Sequence, residues 1–370
     1  MPIYMDRHDL DENIDAEHVA RIHQEDLKFE HEFGCKGLTY WYDGQRKTAF
    51  CLINAPNKEA LTAMHNKAHG GIPNSIIEVN PQLVESFLGR ITDPAQEKGE
   101  NTLPIIDDPA FRIIMMIKVI RNDLHGLGDH VQNELLFDFH GLVIDQISHF
   151  NGRLVRDTTN SNLISFRSVS DAIECASIVY AEYKSLGFAT NHHSLHIGIS
   201  SGLPVTGGKE FFEETVVEAE RLCNIVSGGI VITSNVFELS NNTYLKDKIN
   251  QNFFRLLKPS DQLFLSELMD FTEEHWNRTD LKIDDFSTAL GLSKSQLYRK
   301  VKFLTAKSLN IFLKSYRLNK AIKMIETHKG NISEIAFDSG FNSAAYFSKC
   351  FVDTYGLLPS EYAKTNILSR

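Results

Sequence analysis

The sequence predicts a multidomain α+β protein in which two α/β domains precede an all-α domain. Strand-type and helix-type hydrophobic periods alternate over residues 1–92 and 111–246, whereas residues 260–366 show helical periods only. A polar stretch with three prolines, residues 93–110, predicts a linker between the first two domains. The length of 370 residues suits about two to four domains of roughly 100–200 residues each.

The composition argues against membrane insertion and secretion. No apolar run approaches the roughly 20 residues that span a bilayer, and the first residues lack the basic and apolar segments of a signal peptide. The five cysteines are scattered and form no CxxC pair, which is typical of a reducing compartment. We therefore expect a cytoplasmic protein with no membrane partner.

The first domain, residues 1–92, has strand and helix signals in the order β-α-β-β-α-β. Its predicted strands fall at residues 3–8, 37–43, 47–54 and 75–80, and its helices at residues 16–34 and 58–70. This order is that of the ferredoxin-like split unit. If Met5, Ile77 and Val79 point inward to the helices, Asp6 and Glu78 point away from them, because side chains alternate along a strand.

The second domain, residues 111–246, begins with a continuous apolar strand, RIIMMIKVI, followed by a helix from about Val131 to Phe150. A hairpin, a helix, a strand, a further helix and the strand GIVITS complete it. We therefore expect a second ferredoxin-like α/β unit.

The third domain, residues 260–366, is the basic part of an acidic chain. The net charge is −10, yet residues 260–370 hold 15 Lys and Arg against 13 Asp and Glu. Between Asp285 and Glu326 there is no acidic residue. The window contains Lys294, Arg299, Lys300, Lys302, Lys307, Lys314, Arg317, Lys320 and Lys323. A one-signed run can be a solvated face, but on helices it is also the footprint of a phosphate-binding surface.

Two helix-turn-helix units are predicted in this domain. In the first, IDDFSTALG leads through a turn at Gly291 to a second helix, SKSQLYRKVKFLT, which Ser293 is suited to cap. In the second, ISEIAFDSGF leads through Gly340 to SAAYFSKCFVDTYG. A long amphipathic helix joins the units.

This segment closely resembles the DNA-binding domain of AraC/XylS-type transcription regulators. The pattern IAxxxGFxxxxYFxxxFxxxxGxxPxxY is met at Ile335, Ala336, Gly340, Phe341, Tyr346, Phe347, Phe351, Gly356, Pro359 and Tyr362. The resemblance implies that the second helix of each unit enters a major groove of double-stranded DNA. We expect Gln296 and Arg299 to read bases, because their side chains can pair bidentately with adenine or guanine.

The other expected DNA contacts divide between the two units. On the first, we expect contacts to phosphates from Lys294, Lys300 and Lys302. On the second, the candidates are Asn342, Ser343, Ala344, Tyr346 and Lys349.

The second domain resembles the class III nucleotidyl cyclase homology domain through NGRLVRDTTNSNLISF, DAIECA, HIGISSG and ETVVEAERL. In that family two aspartates hold the catalytic metals. The resemblance places the first near Lys118–Val119, where this chain has none, and the second on Asn160. The family's asparagine falls on Val217, and Arg221 alone remains of that motif. We therefore expect no cyclase activity, and a domain that dimerises or binds a ligand.

Six histidines in the first domain raise the possibility of a metal site. His65 and His69 lie one helical turn apart, a spacing that can hold one metal ion, and His8 ends the first strand. An exposed helix face would explain the same spacing. Cys51 is a further candidate ligand, although a cysteine on a central strand is more often buried and inert.

Residues 1–92 also resemble a small ferredoxin-like family with nickel-binding members, through MPIYMDRHD, LTYWYD, FCLINAP, HxxxHG and IIEV. The resemblance suggests a divalent transition metal, nickel or zinc, on His8, His65 and His69 with Cys51 as an additional ligand. Alternatively, Tyr40, Trp41 and Tyr42 line an apolar ligand pocket or a dimer face.

Taken together, the sequence predicts a homodimeric, sequence-specific DNA-binding transcription regulator, not an enzyme. A metal ion or a small-molecule effector would act through one of the first two domains. The alternatives are a cyclase-like enzyme with a regulatory DNA-binding tail and a metal-buffering protein.

Overall fold

The computed structural model describes residues 1–94, 105–121, 130–158, 160–186, 193–240, 243–250 and 253–368. Within these residues, no helix combines the length and the apolar character that crossing a bilayer requires.

The N-terminal domain has the predicted ferredoxin-like topology. Its elements are β1 (Ile3–Asp9), α1 (Ala16–Phe29), β2 (Lys36–Asp43), β3 (Thr48–Asn54), α2 (Lys58–His69) and β4 (Ser75–Val79). The strands form an antiparallel sheet in the order β2-β3-β1-β4. A short helix, α3 (Pro81–Leu88), follows within the predicted domain and was not predicted.

Both faces of this sheet are buried. Helices α1 and α2 cover the face that carries Tyr4 and Ile53, whereas Met5 and Leu52 on the opposite face pack against α3 and the middle domain. Asp6 has the parity of Tyr4 and therefore lies on the helix side. The expected orientation of Asp6 and Glu78 was wrong. Met5, Ile77 and Val79 face away from the helices because they pack against apolar residues of the middle domain.

The middle domain forms a six-stranded sheet in the order β10-β9-β8-β5-β7-β6. Its elements are β5 (Arg112–Arg121), α4 (His130–His149), β6 (Arg153–Thr158), β7 (Ser161–Phe166), α5 (Val169–Ser185), β8 (His193–Gly202), α6 (Glu213–Ile225), β9 (Ile230–Thr233), α7 (Ser234–Leu239), α8 (Thr243–Ile249) and β10 (Phe254–Leu257). The first four strands repeat the ferredoxin-like order with antiparallel pairing. Strands β9 and β10 extend the sheet in parallel, and β10 was not predicted.

Arg112 joins the first two domains. Its side chain is buried, and its guanidinium donates hydrogen bonds to the carbonyl oxygens of Phe87 at 3.1 Å and Leu88 at 3.3 Å, in the last turn of α3. It also donates to Pro109 O at 2.6 Å. These bonds satisfy carbonyls that a helix end leaves unpaired.

The C-terminal domain is all-α, as predicted. It consists of α9 (Pro259–His275), α10 (Ile283–Ala289), α11 (Lys294–Thr305), α12 (Leu309–Glu326), α13 (Ile332–Asp338), α14 (Ala344–Tyr355) and α15 (Pro359–Leu368). The turn before α14 requires Gly340, since its φ is +78° and a Cβ there would lie 2.8 Å from Trp276 O.

The two helix-turn-helix units, α10–α11 and α13–α14, differ in their surroundings. The first unit shares a core with the middle domain, in which Val231 and Leu257 pack with Leu265, Val301 and Leu304. The second unit has a separate core built on α12 to α15. The middle domain is therefore packed directly against the first unit.

Candidate metal centre and nucleic-acid interface

A cluster of polar side chains lies between the helices and the sheet of the N-terminal domain. We call it the His–Asp cluster, and it consists of Asp6, His8, Asp26, His65 and His69, with Cys51 beside it. Strands β1 and β3 supply one side of it, and helices α1 and α2 supply the other. The structure thus brings together all four sequence-predicted ligands.

His65 is the centre of the cluster and is fully buried. Its Nε2 lies 2.7 Å from Asp6 Oδ2, and its Nδ1 lies 3.0 Å from Asp26 Oδ1. His69 Nε2 approaches the same Asp26 oxygen at 3.2 Å. His8 stands edge-on to His65, with ring centroids 5.1 Å apart, and its Nε2 lies 3.5 Å from Asp6 Oδ1.

The electrostatics of the cluster are those of a buried ion network. Burial opposes charge on His65, but Asp6 and Asp26 outweigh it and raise the pKa of His65 to about 10. Burial likewise opposes ionisation of Asp6, yet the charges and hydrogen bonds of His8 and His65 hold the pKa of Asp6 far below its usual range. A lone buried charge would be costly, so the pairing explains why these groups tolerate burial.

Cys51 lies in a setting that disfavours its thiolate as long as no cation is bound. Burial, followed by the charges of Asp6 and Asp26, raises the pKa of the Cys51 thiol well above its usual range. Its backbone N–H donates to Asp6 Oδ1 at 3.0 Å, so the residue helps to orient that carboxylate. A metal ligand has to be the thiolate, and this environment opposes it.

The imidazoles and carboxylates fit a divalent transition metal. The groups Asp6–His8–Cys51 and Asp26–His65–His69 each present donor atoms within 4.8 Å of one another. Imidazole suits nickel and zinc, and carboxylates complete such sites. The side chains of His8 and His69 are 15% and 13% exposed, which makes this the solvent side of the cluster.

Sequence reasoning missed Asp26, although a signal for it existed. Asp26 lies on the buried face of α1 with Val19 and His23, at the spacing of one helix stripe. A carboxylate on such a stripe requires a buried partner. The alternative role of Tyr40, Trp41 and Tyr42 was an apolar ligand pocket or a dimer face. Tyr40 and Tyr42 are buried in the core of the domain, so they do not form an exposed dimer face.

Helix α11 presents the first candidate nucleic-acid interface. Lys294, Gln296, Arg299 and Lys302 are exposed on it, and Ser293 caps its first turn as predicted. Arg299 Nε donates to Ser295 O at 3.3 Å, one turn earlier on the helix. This bond holds the guanidinium against the side of α11.

Four other side chains of α11 are partly committed within the protein. Lys294 Nζ lies 2.5 Å from Asp284 Oδ1 of α10. Gln296 Oε1 accepts the Ser293 N–H at 2.9 Å in a capping box, so its amide oxygen is already engaged. Lys300 Nζ lies 4.8 Å from the centre of the Phe264 ring on α9. Lys302 Nζ donates to Ala306 O at 2.7 Å, at the end of the helix.

Helix α14 presents the second interface. Asn342, Tyr346 and Lys349 are exposed there, Tyr346 by 56%. Ser343 is the N-cap, and its Oγ accepts the Tyr346 N–H at 3.3 Å, while Ala344 is half-buried. Lys349 is thus the one basic candidate here, against four on α11.

The cyclase-like positions lie in two places. Val119 N–H donates to Asn160 O at 2.9 Å, so the two expected metal-binding positions are neighbours, and the residues found there are Lys118, Val119 and Asn160. None of these is a carboxylate. The two positions that the resemblance gave to the metals therefore lack metal-binding aspartates in this chain.

Val217 and Arg221 line a cavity of about 740 Å³ between α6 and α9. Arg221 Nη2 donates to Asp270 at 2.6 Å and Glu273 at 3.1 Å, and Nη1 donates to Ser266 Oγ at 3.1 Å. Arg221 therefore ties the middle domain to the C-terminal domain.

Comparison with known families agrees with this division of the chain. The family model for nickel responsive protein SCO4226-like matches residues 4–79, and a helix-turn-helix domain model matches residues 286–365. The chain therefore contains an SCO4226-like N-terminal domain and an AraC-type helix-turn-helix C-terminal domain, as predicted. Neither model reaches the middle domain, whose likeness to cyclases stays a prediction.

Individual relatives are similar over one domain each. Histidine kinase P4 of Formosa agariphila is 35% identical over 102 residues, 28% of this chain and 7% of its own length. The HTH-type transcriptional regulator MtrA of Neisseria gonorrhoeae is 29% identical over 100 residues, and the match covers 27% of this chain and 32% of MtrA. The structure of SCO4226 from Streptomyces coelicolor is 30% identical and covers 21% of this chain and 94% of that one, with a TM-score of 0.20. The chain thus spans a third or less of Histidine kinase P4 and of MtrA.

Proposed function

We propose that this protein is a transcription regulator that binds double-stranded DNA sequence-specifically through α11 and α14. The observation that carries the proposal is the pair of capped helices, each the second helix of a helix-turn-helix unit, with exposed polar residues on its outer face. A helix of this size fits the major groove, where base edges differ in their hydrogen-bonding pattern. Among the relatives, MtrA is named as an HTH-type transcriptional regulator, which is the role that we propose for this protein.

On α11, the base-reading role falls to Arg299. It is exposed, and its guanidinium can pair with guanine, whereas Gln296 is engaged in the capping box. Lys294 and Lys302, both exposed on this helix, would contact phosphates. Helix α14 would then depend on Asn342 and Tyr346 more than on charge.

A mobility shift with a duplex enriched from a randomised pool tests this proposal. At about 150 mM salt, Arg299→Ala is expected to weaken binding about tenfold or more, because one bidentate base contact contributes roughly 1–3 kcal/mol of discrimination. Arg21→Ala, which removes an exposed arginine of α1, is the matched control and should bind as the wild type does. Equal binding by Arg299→Ala contradicts the role of α11, and a wild type without sequence preference contradicts the function itself.

The N-terminal domain is proposed to hold the effector, a divalent transition metal such as nickel or zinc. Its ligands would be His8, His65 and His69, assisted by Asp6 and Asp26. Bound there, the ion would cross-link β1, α1 and α2 through imidazole and carboxylate ligands. Since binding requires neutral imidazoles, His65 would give up the proton that it shares with the two carboxylates.

One further prediction from the sequence is part of the same proposal, and two others are alternatives to it. A regulator of this kind is expected to be a homodimer, which sedimentation tests against twice the 42.0 kDa chain mass. A metal-buffering protein is the alternative for the His–Asp cluster, and it would bind metal without any change in DNA affinity. A cyclase-like enzyme is the other alternative, but this chain lacks the two aspartates that would hold the catalytic metals.

A further inference from the structure

The C-terminal end of α11 is held by the middle domain. The last carbonyls of a helix have no partner within it and form its negative end. Here Leu304 O accepts the backbone N–H of Ser227 at 2.8 Å and the Ser227 hydroxyl at 3.2 Å. Neither donor belongs to the helix-turn-helix domain, because Ser227 lies between α6 and β9.

Arg255, on β10, completes this clamp. Its Nη2 donates to Phe303 O at 2.6 Å, and its Nη1 donates to Leu304 O at 3.2 Å and to Ser227 Oγ at 2.8 Å. The guanidinium also lies 4.7 Å from the centre of the Phe303 ring. A planar cation with several donors suits two adjacent carbonyls at the negative end of a helix.

The clamp lies over the shared core of the middle domain and the first unit. Val301 and Leu304, on the buried face of α11, pack with Val231 and Leu257 of the middle-domain sheet. Arg255 is therefore next to residues that fix how α11 is rotated, while the exposed residues of the same helix start at Lys294, at its other end.

We propose that Arg255 is a positioning residue for DNA recognition, which fixes the recognition helix α11 from the middle domain together with Ser227. The inference rests on the proposed DNA-binding function and assigns part of it to a domain that contains no helix-turn-helix unit. Arg255 acts through α11, so that the loss of its hydrogen bonds lowers the preference for the specific site while general attraction to DNA remains.

The test uses the full-length chain and two probes, a duplex enriched from a randomised pool and a scrambled duplex of equal length. Arg255→Gln is expected to weaken binding to the enriched duplex about tenfold, a loss of the size of one charge-assisted hydrogen bond. Binding to the scrambled duplex should stay unchanged, and Arg255→Lys should fall between wild type and Arg255→Gln. Arg21→Gln, on an exposed arginine of α1, is the control.

The salt dependence separates positioning from direct contact. A lost phosphate contact makes the slope of log affinity against log salt shallower by about 0.9, whereas a positioning role leaves the slope of Arg255→Gln unchanged. A shallower slope, an equal loss on both duplexes, or wild-type affinity in Arg255→Gln overturns the proposal. If that variant does not fold, Ser227→Ala, which keeps the backbone bond to Leu304 O, must show the same loss of preference on a smaller scale. A wild type with no preference for any duplex overturns the proposed function first, and this inference with it.

Discussion

Asp6 of β1 and His65 of α2 form a fully buried pair in which Oδ2 and Nε2 are 2.7 Å apart. The contact joins the sheet to the helix layer at the point where the SCO4226-like domain gathers its histidines. Because both side chains are shielded from water, we expect the pair and its partner Asp26 to influence stability and, at the proposed site, metal binding.

Removing one charge of this pair should destabilise the N-terminal domain. We expect Asp6→Asn to lower the free energy of unfolding by about 3–5 kcal/mol, as happens when one partner of a buried ion pair is lost. Asp11→Asn, at an exposed position near the end of β1, should change it by less than about 0.5 kcal/mol. Urea unfolding of both variants checks this, and equal midpoints would show that the pair does not stabilise the fold.

Metal binding should depend on the exposed side of the cluster. Calorimetric titration with Ni²⁺ or Zn²⁺ is expected to show one site per chain, which His69→Ala weakens by at least about 10–100-fold, the range known for residues that only support a ligand. His18→Ala is the matched control, because His18 is exposed and pairs with Asp15 outside the cluster. Unchanged affinity in His69→Ala would remove His69 from the ligand set.

The contact between the first two domains should depend on Arg112. Arg112→Met keeps the length of the side chain but leaves Leu88 O without its donor and removes one of the two donors to Phe87 O, which also accepts from Ser165 Oγ at 2.9 Å. Each buried polar group without a partner costs about 1–3 kcal/mol, so the variant should unfold at lower urea concentration and separate the two domains into distinct transitions. Arg21→Met, on an exposed arginine of α1 away from this contact, should unfold as the wild type does. A single unshifted transition in Arg112→Met would contradict this role.

The middle domain should not form cyclic nucleotides. Incubation with ATP or GTP and Mn²⁺ is expected to give no cyclic product, because two catalytic metals require carboxylates that Lys118, Val119 and Asn160 do not supply. Asn160→Asp alone should remain inactive, since it restores one of two aspartates. Cyclic product at ordinary turnover from the wild type would contradict this expectation.

The fold class, both ferredoxin-like orders and the two helix-turn-helix units were predictable from the sequence, because they depend on hydrophobic period and turn residues. The orientation of Asp6 was not predictable. Both faces of this sheet are apolar, so the alternation of side chains along β1 does not say whether Met5 or Asp6 faces the helices. Gln296 suits two roles, and its base contact stays a prediction: its type suits a base contact, and its position three residues after Ser293 suits a capping box.

The contacts that join the domains lay beyond sequence reasoning. Arg255 and Arg112 are unremarkable in the sequence, and Arg221 stands out there only through the cyclase resemblance. Each finds its acceptors in a segment distant along the chain. Hydrophobic periods and turn residues do not predict which distant segments contact each other. The contact between the middle domain and α11 could therefore be seen only in the three-dimensional structure.

The central claim, sequence-specific DNA binding by two units of one domain, is tested most directly by selecting duplexes from a randomised pool with the purified full-length chain. Successive major grooves on one face of DNA are about 10 base pairs apart. The account therefore predicts an enriched motif with two conserved blocks at about that spacing. A pool with no enriched sequence after selection, at a salt concentration where the chain still binds DNA, would contradict it.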